Sequence, residues 1–245
     1  ISNKCLQELS KCLIDQKPKP TNGIIPTKLY ALNEQVDGEN NQRLQELPTE
    51  IVTIEAVNKW KIKPTNKKVV DYLLQAMERV IPEKIDLKIG AQVMLLRNRS
   101  RGTYTGQVRL TGPSLVNGSR GKVIGFSESV VRPGMLVPTV QFDNGMITTI
   151  GPVEYSVKVP HNGELIRSQI PLKLAWAATV HKSQGCTLTS AELMLDKAFD
   201  YGQIYVALSR VKNLDGLWLS TPIERRHVKA HPLVLKFYGH IHSGK

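Results

Sequence analysis

Apolar and polar positions follow different patterns in three successive parts of the chain. Up to about residue 85, apolar side chains recur at helical spacing in some segments and form short continuous runs in others. This part predicts three helices, at 2–14, 33–47 and 66–81, and two strands, at 23–32 and 51–57. The helix at 66–81 is amphipathic, whereas the helix at 33–47 is polar with a sparse apolar side.

From Asp86 to about Leu172 the chain consists of short β-branched runs separated by turns. Asn144-Gly145 and Asn162-Gly163 predict hairpins with type I′ turns, in which both central residues need positive φ. Short strands joined in this way are typical of a small antiparallel barrel. We therefore expect an all-β segment in the middle of the chain.

After Leu172, segments of helical and strand length return. The sequence predicts a short helix in LKLAWAATV, a strand at 191–195, a helix at 202–211, a strand at 216–220 and a final helix at 231–242, opened by Pro232. An α/β domain therefore flanks the all-β segment.

Charge narrows the partners that we expect. The 245 residues carry a formal net charge of +12, while 41% are hydrophobic, an ordinary globular balance. Such an excess of positive charge favours a polyanion, and nucleic acid is preferred over membrane because no basic amphipathic helix with an aromatic face is visible. A basic protein without a polyanionic partner stays open as the alternative.

The cysteines and histidines predict no metal site. The chain has three cysteines, none in a CxxC pair, which disfavours both a disulfide framework and a zinc site. Cys5 and Cys12 are expected to pack in the core, and His227 and His231 to be surface residues. The chain begins at Ile1, so we expect it to be part of a longer polypeptide, and no run is long enough for a membrane span.

The segment TVHKSQGCTL at 179–188 places many polar groups directly after an apolar run. Junctions that follow strands in α/β sheets are where ligands bind, and a glycine such as Gly185 lets a backbone approach closely. Lys182 supplies a charge, and further hydrogen-bonding groups come from His181, Ser183, Gln184 and Thr187. This composition suits a phosphodiester or a triphosphate, and a solvated loop is the alternative.

The segment QIYVALSRV at 203–211 is expected to be helical, with Gln203, Ala207 and Arg210 on one face. A lone arginine in this position is often a surface charge. Near the polar segment at 179–188, Arg210 would instead be a fixed cation facing a phosphate, as arginine fingers are in phosphoryl transfer.

Together, TVHKSQGCTL and QIYVALSR resemble motifs V and VI of superfamily-one helicases of the Pif (petite integration frequency) family. The further matches, in family order, are PTKLYALNEQVDGENNQRLQELP (26–48, motif IV), KIGAQVMLLRN (88–98), LVNGSRGKVIGF (115–126) and IPLKLAWAATVHKSQG (170–185). The resemblance implies an α/β, RecA-like (P-loop NTPase-type) second motor domain formed by 1–85 and 166–245. It also implies that 86–165 is an inserted Src-homology-like β-barrel.

The resemblance assigns roles to residues. Arg210 would be the catalytic finger on the ATP γ-phosphate, and Gln184 and Gly185 would lie near the nucleotide. Lys28 occupies the motif IV position, where the family more often has arginine, whose bidentate fork lysine lacks. The residues expected at nucleic acid are His181, Lys182, Ser183, Thr187, Gln203 and Tyr205. For Tyr205, a core position is favoured over a stacking platform.

The chain contains neither the phosphate loop GxxxxGK[ST] nor an acidic pair suited to Mg²⁺, since Asp196 and Asp200 are isolated. The resemblance therefore implies ATP with Mg²⁺ bound by an upstream RecA-like domain of the same polypeptide, and we expect no ATP hydrolysis by this chain alone. The implied partners are single-stranded DNA and forked DNA, and no membrane partner is expected. The protein is expected to be a monomer. The expected location is the nucleus or mitochondrion in a eukaryote, and the cytoplasm otherwise.

The implied function is 5′-to-3′ translocation on single-stranded DNA, with unwinding of duplexes, RNA–DNA hybrids or G-quadruplexes in repair, recombination and telomere maintenance. The alternative is a non-enzymatic single-stranded nucleic-acid-binding module, or a decayed relic of a mobile-element helicase. A binding module would use basic residues around the β segment: Lys88, Arg97, Arg99, Arg101, Arg109, Arg120 and Lys122.

Overall fold

The structure, a computed structural model, describes residues 1–18, 20, 23–99, 104–105, 108–109, 115–194 and 201–243. Five α-helices lie in these ranges: α1 (Asn3–Ser10), α2 (Asn33–Glu46), α3 (Lys67–Val80), α4 (Gln203–Leu208) and α5 (Pro232–Ser243). The strands are β1 (Thr27–Tyr30), β2 (Val52–Glu55), β3 (Val57–Ile62), β4 (Lys84–Leu87), β5 (Gln92–Leu95), β6 (Tyr104–Thr105), β7 (Val108–Arg109), β8 (Arg120–Glu128), β9 (Leu136–Phe142), β10 (Ile147–Thr149), β11 (Val153–Val159), β12 (Gly163–Gln169), β13 (Leu172–Leu174), β14 (Ala177–Thr179), β15 (Ala191–Leu193) and β16 (Leu217–Leu219).

The helices confirm five of the predicted helical segments, with ends that differ by at most four residues. Helix α3 begins where the side chain of Asn66 accepts a hydrogen bond from the backbone N–H of Lys68, at 2.9 Å. Its apolar face buries Leu73 and Met77, so capping and burial together account for this helix. No helix that the structure describes is both long and apolar enough to cross a membrane.

The chain forms two compact units. The first unit consists of 1–43 and 175–245, and the second of 44–174. A parallel four-stranded sheet in the order β14-β1-β15-β16 forms the first unit's centre, which confirms the predicted α/β class. Asn40 of α2 ties this sheet to its helix, because its side chain exchanges two 3.0 Å hydrogen bonds with the backbone of Ala177.

The predicted helix in LKLAWAATV is wrong. Its residues form two short strands, β13 and β14. Strand β13 belongs to the second unit and β14 to the first. Ala175, Ala177 and Ala178 are all buried. A short run that is apolar at nearly every position carries no periodicity that separates a buried strand from a buried helix, so its pattern could not decide between them.

The second unit is rich in antiparallel strands. Its main sheet has five strands in the order β10-β9-β8-β5-β13, and a further sheet has the order β11-β12-β3. Two strand pairs, β2-β4 and β6-β7, complete the described strands of this unit. The all-β character is as predicted for the middle of the chain, but the described residues do not form a closed barrel, so the predicted barrel is not confirmed.

Both predicted hairpins are present, but neither has the predicted type I′ turn. Asn144-Gly145 joins β9 to β10, and Gly145 has a φ of 83°. Of the non-glycine residues that the structure describes, only His161, with a φ of 61°, has positive φ, and it lies in the turn between β11 and β12. Gly163 is needed for space instead, because a Cβ there would lie 2.5 Å from Cγ of Pro64.

A hydrogen-bonded cluster around Arg167, here called the Arg167 network, links β12 to the segment before residue 85. The Arg167 guanidinium donates to Asn58 Oδ1 (2.8 Å), Glu78 Oε2 (2.6 Å) and the carbonyl oxygen of Ile81 (2.8 Å). Strand β3 also pairs with β12. Along the sequence, the boundaries between the two compact units therefore fall at 43/44 and 174/175. The domain borders expected from the sequence, at 85/86 and 165/166, stay predictions.

Candidate functional site

The polar segment predicted to bind ligand follows the carboxyl end of β14, and residues 180–188 are called the 180–188 loop below. In the parallel register Tyr30 lies beside Thr179, and the backbone N–H of Val180 donates to the Tyr30 carbonyl oxygen at 3.0 Å. A single 3₁₀ turn, His181–Ser183, follows. The loop thus begins at the edge of the sheet where parallel α/β sheets bind ligands.

Hydrogen bonds within the loop fix its first turn. The backbone N–H of Lys182 donates to Thr179 Oγ1 at 3.2 Å, and the hydroxyl of Ser183 donates to the Val180 carbonyl oxygen at 2.7 Å. Ser183 is only 1% exposed, so its hydroxyl supports the loop from inside. A direct contact between Ser183 and a nucleic acid strand is therefore not supported by this conformation.

The other predicted polar residues of the loop face solvent. His181, Lys182, Gln184, Gly185 and Thr187 are exposed, while buried Cys186 and Leu188 anchor the loop between them. This alternation presents several hydrogen-bonding groups and one fixed positive charge on one short segment. The arrangement can bind a phosphate-bearing ligand without first breaking its internal hydrogen bonds.

Gly185 is required by its backbone conformation. Its φ is 77°, which residues with a side chain rarely adopt, and a Cβ built there would meet no atom within 4 Å. The space above the backbone is open, so a ligand can approach the peptide groups on this side of the loop.

Arg210 lies just after α4 and contacts the 180–188 loop. Its Nη1 donates to the Cys186 carbonyl oxygen at 3.5 Å, and its own carbonyl oxygen accepts from Leu188 N–H at 2.8 Å. Its Nε donates to the Val206 carbonyl oxygen at 3.1 Å. The structure therefore brings together the two segments that the sequence marked as functional, with the guanidinium half-buried between α4 and the loop.

The predicted shared face of Gln203, Ala207 and Arg210 is only partly formed, because α4 ends at Leu208. Ala207 is buried, and Gln203 begins the helix in a half-buried position. Tyr205 is 73% exposed, so the favoured core position is wrong. An exposed aromatic ring on the first turns of a short helix offers the flat surface that base stacking needs.

Lys28 is held by a residue that the sequence did not single out. Its Nζ lies 2.8 Å from Glu39 Oε1, which also accepts a hydrogen bond from Arg43 Nε at 3.2 Å. Burial opposes ionisation of Glu39, but the hydrogen bonds from Lys28 and Arg43 outweigh burial and lower its pKa. The spacing of Glu39 and Arg43 predicts their pairing on a helix, but not the contact with Lys28 on β1.

The basic residues proposed for a binding module do not form one exposed patch. Lys88, Arg99 and Arg120 are buried. Lys88 donates to the Leu47 carbonyl oxygen at 2.7 Å, and Arg120 lies 3.6 Å from Asp143. Arg97 and Lys122 are exposed, and the side chains of Arg101 and Arg109 lie outside the described residues. A surface made by the whole set is thus contradicted.

The described residues contain no group of three or more histidine, cysteine, aspartate or glutamate side chains that could hold a metal ion. Asp196 and Asp200 lie outside the described residues. His227 accepts a hydrogen bond from Glu224 N–H at 3.1 Å, and the ring of His231 lies edge-on, 5.2 Å from Tyr201. Cys12 is buried as expected, but Cys5 is exposed and does not pack in the core.

No family model matches the chain. ATP-dependent DNA helicase PIF1 of Xenopus laevis is 38% identical over 218 residues, which cover 88% of this chain and 30% of that protein. The crystal structure of Pif1 helicase from Candida albicans superposes with a TM-score of 0.68 at 26% identity, over 98% of this chain and 58% of that chain.

Pif1 helicase from Bacteroides, in complex with ADP-AlF3 and ssDNA, superposes with a TM-score of 0.59 at 25% identity. That match covers 100% of this chain and 51% of the solved chain. These neighbours imply an α/β RecA-like fold for this chain. The chain spans about 30% of the length of the curated relatives that it matches.

Proposed function

We propose that this chain, which is homologous to the C-terminal part of Pif1 ATP-dependent DNA helicases, is the second motor part of such an enzyme. The observation that carries the proposal is the contact between Arg210 and the 180–188 loop. A translocating helicase has to couple a nucleotide site to a DNA site. Here one guanidinium touches the backbone of the segment that presents the candidate DNA-binding groups.

Exposed groups of the 180–188 loop would hold the DNA strand. Lys182 would pair with a backbone phosphate, and His181 and Thr187 would donate hydrogen bonds to phosphate oxygens. Contacts of this kind do not depend on base sequence, as a motor that moves along DNA requires. Ser183 would act indirectly, by holding the loop through its bond to the Val180 carbonyl oxygen.

Arg210 would be the catalytic cation that stabilises the γ-phosphate of ATP during transfer. Its present partners, the carbonyl oxygens of Val206 and Cys186 and the hydroxyl of Ser209, are neutral and easily exchanged for a phosphate. Gln184 and Gly185 would lie at the nucleotide. Lys28 would also bind nucleotide, but only after releasing Glu39, because its ammonium group is already paired.

Tyr205 would stack on a base of the strand, and Gln203 would connect the nucleotide site to the strand at the start of α4. Stacking on an aromatic side chain is tolerant of base identity, since every base has a flat face. An exposed ring on α4, the helix that directly precedes Arg210, supports this role.

The remaining parts of the proposal concern the whole protein. The motor would move 5′ to 3′ on single-stranded DNA and unwind forked duplexes, RNA–DNA hybrids or G-quadruplexes in repair, recombination and telomere maintenance. An upstream RecA-like domain would supply the phosphate loop and the Mg²⁺ ligands, since the described residues offer no metal site. Residues 86–165 would be the inserted Src-homology-like β-barrel. The protein would act as a monomer, in the nucleus or mitochondrion of a eukaryote or otherwise in the cytoplasm.

The test uses the full-length polypeptide with Arg210→Gln, which keeps a hydrogen-bond donor but removes the charge. We expect ATP turnover to fall by about 10³-fold or more, as for loss of an arginine finger. Affinity for single-stranded DNA should change by no more than about twofold, because Arg210 is not among the proposed strand contacts. ATP turnover and fluorescence anisotropy of a labelled oligonucleotide measure the two effects.

Two further variants separate the roles. Tyr205→Ala should lower the affinity for the oligonucleotide by roughly 5- to 100-fold, as expected for one lost stacking contact. Lys212→Gln removes a neighbouring exposed charge and should leave both readouts unchanged. If Arg210→Gln abolishes DNA binding while ATP turnover persists, the assignment of Arg210 is wrong. ATP hydrolysis by the present chain alone would contradict the division of labour between the two domains.

A further inference from the structure

Among the described side chains of the second unit, three arginines are buried, and they differ in their partners. Arg120 and Arg167, each 1% exposed, lie near carboxylates, at 3.6 Å from Asp143 and 2.6 Å from Glu78 respectively. Arg99 is 4% exposed but forms no ion pair with any described carboxylate. Burying a guanidinium without a counter-ion is costly. Arg99 therefore differs from Arg120 and Arg167, which both lie near a carboxylate.

The bonding of Arg99 is incomplete. Its Nη2 donates to the Gly151 carbonyl oxygen at 2.9 Å, while its Nη1 has no hydrogen-bond partner among the described residues. The nearby Tyr155 hydroxyl is also buried without a partner. Burial lowers the pKa of the Arg99 guanidinium, and Tyr155 is the one group that opposes this effect. Arg99 and Tyr155 thus each have a buried polar atom without a hydrogen-bond partner among the described residues.

No carboxylate counter-ion is hidden in the parts of this unit that lie outside the described residues. The stretches of the second unit outside the described residues are 100–103, 106–107 and 110–114, and none contains aspartate or glutamate. Glu128 is close enough to share the same cavity, but its Oε1 accepts a hydrogen bond from Gly134 N–H at 2.7 Å. Among the described residues Arg99 is thus left without a hydrogen-bonded carboxylate, so an anionic ligand can supply the negative charge.

Arg99 lies in the wall of a cavity of about 570 Å³ in the second unit. This volume falls within the range of roughly 300–1,000 Å³ that small-molecule sites occupy. A second cation, Arg97, shares the wall and lies 4.7 Å from the centre of the Tyr155 ring. The wall also presents the hydroxyl-bearing residues Ser127 and Thr148 and the apolar side chains of Val137 and Ile147.

We propose that this cavity binds the phosphate group of a nucleotide, with Arg99 as its buried counter-ion and Arg97 at its mouth. Two arginines and nearby hydroxyls are the groups that phosphate oxygens prefer, and a small turn of the guanidinium directs Nη1 to the ligand. The apolar wall accommodates a sugar or base. The nucleotide comes either from a nucleic acid strand or from a free nucleoside phosphate, and the site is independent of the 180–188 loop.

The experiment compares the present chain with Arg99→Met by titration calorimetry and thermal unfolding. The probes are inorganic phosphate, adenosine monophosphate and a thymidine octanucleotide. We expect Arg99→Met to lower the affinity for adenosine monophosphate or the octanucleotide by roughly tenfold or more, because a charged hydrogen bond is lost. Without a ligand, the variant should unfold at the same temperature or higher, because an uncompensated buried charge has been removed.

The arms of the experiment separate the two sources. Binding of adenosine monophosphate that depends on Arg99 indicates a free nucleotide, whereas dependence seen only with the octanucleotide indicates a strand. Lys122→Met removes an exposed charge of the same unit outside the cavity and should change neither readout. Arg97→Met should lower the affinity for the same probe by a smaller factor than Arg99→Met does.

Two outcomes overturn the proposal. If Arg99→Met lowers the unfolding temperature and leaves every probe unaffected, Arg99 is a structural residue bonded to Gly151. If the variant is more stable but no phosphate probe binds through Arg99, the cavity is not a phosphate site. Arg210→Gln should leave binding at this cavity unchanged, so failure of the motor role and failure of this site are distinguishable.

Discussion

The 180–188 loop of the first unit and the Arg167 network of the second unit use polar side chains in opposite ways. In the loop, backbone groups and Ser183 make the internal hydrogen bonds, and the charged Lys182 is left exposed. In the network, the charged group itself is buried and holds three elements together. Positive charge in this sequence is therefore exposed on a loop in one region and buried in a structural core in the other.

The largest expected effect comes from replacing charge in each region in turn. Arg167→Met should lower the free energy of unfolding of the chain by about 3 kcal/mol, because it leaves the buried Ile81 carbonyl oxygen without its donor and removes a bond to Glu78. Lys182→Met should change it by less than about 0.5 kcal/mol, as an exposed site does. Urea unfolding measures both, and equal losses would erase the contrast between the two regions.

Glycine supplies a second comparison. Gly163→Ala should cost about 2–3 kcal/mol, because the new methyl group would lie 2.5 Å from Pro64 Cγ and 3.0 Å from Leu73 Cδ1 in a packed core. Gly185→Ala meets no atom, so only its φ of 77° is strained, at about 1 kcal/mol. Thermal unfolding of the two variants tests this order. A larger loss for Gly185→Ala would show that the loop is more tightly packed than its open surface indicates.

The smallest effect concerns Glu39, which is intermediate between the two regions because it is largely buried and yet holds a proposed ligand-binding lysine. Its pKa lies below the ordinary 4.5, so its stabilisation is present above pH 4.5 and disappears as the pH falls through the folded-state pKa. Glu39→Gln should therefore lose about 1 kcal/mol at pH 7. In urea unfolding, the difference from the unchanged chain should shrink as the pH falls below 4.5, and a constant difference would contradict the ion-pair explanation.

Local pattern was sufficient where one face of an element is buried and the other is exposed. Helix α3 follows directly from its apolar spacing, and the hairpins around Gly145 and His161 follow from turn residues between alternating strands. The turn types could not be predicted, because contacts such as that of Gly163 with Pro64 are made between residues distant in sequence. The helix prediction for the apolar run before the 180–188 loop was wrong for the opposite reason. When both faces of an element are buried, its apolar residues show no periodicity that distinguishes a helix from a strand.

For the candidate site, the sequence identified the two segments but not all the side-chain environments within them. It placed Arg210 and the 180–188 loop together, which the hydrogen bond to Cys186 confirms. It did not reveal that Tyr205 is exposed, because an apolar helix shorter than two full turns has too few positions to define a face. It also treated Arg99 and Arg120 as surface charges, since nothing in a residue's type shows that its charge is buried.

The parallel arrangement of β1 between β14 and β15 has a consequence for synthesis of the chain. The Thr27 hydroxyl bonds to the Ala175 carbonyl oxygen across 148 residues of sequence, so β1 leaves the ribosome long before the strands on either side of it. At about 5–20 residues per second, the central strand waits roughly 7–30 s for its partners. The second unit, which is continuous from 44 to 174, is complete by then. A central strand that waits this long for the partners on both of its sides is a natural client for a chaperone.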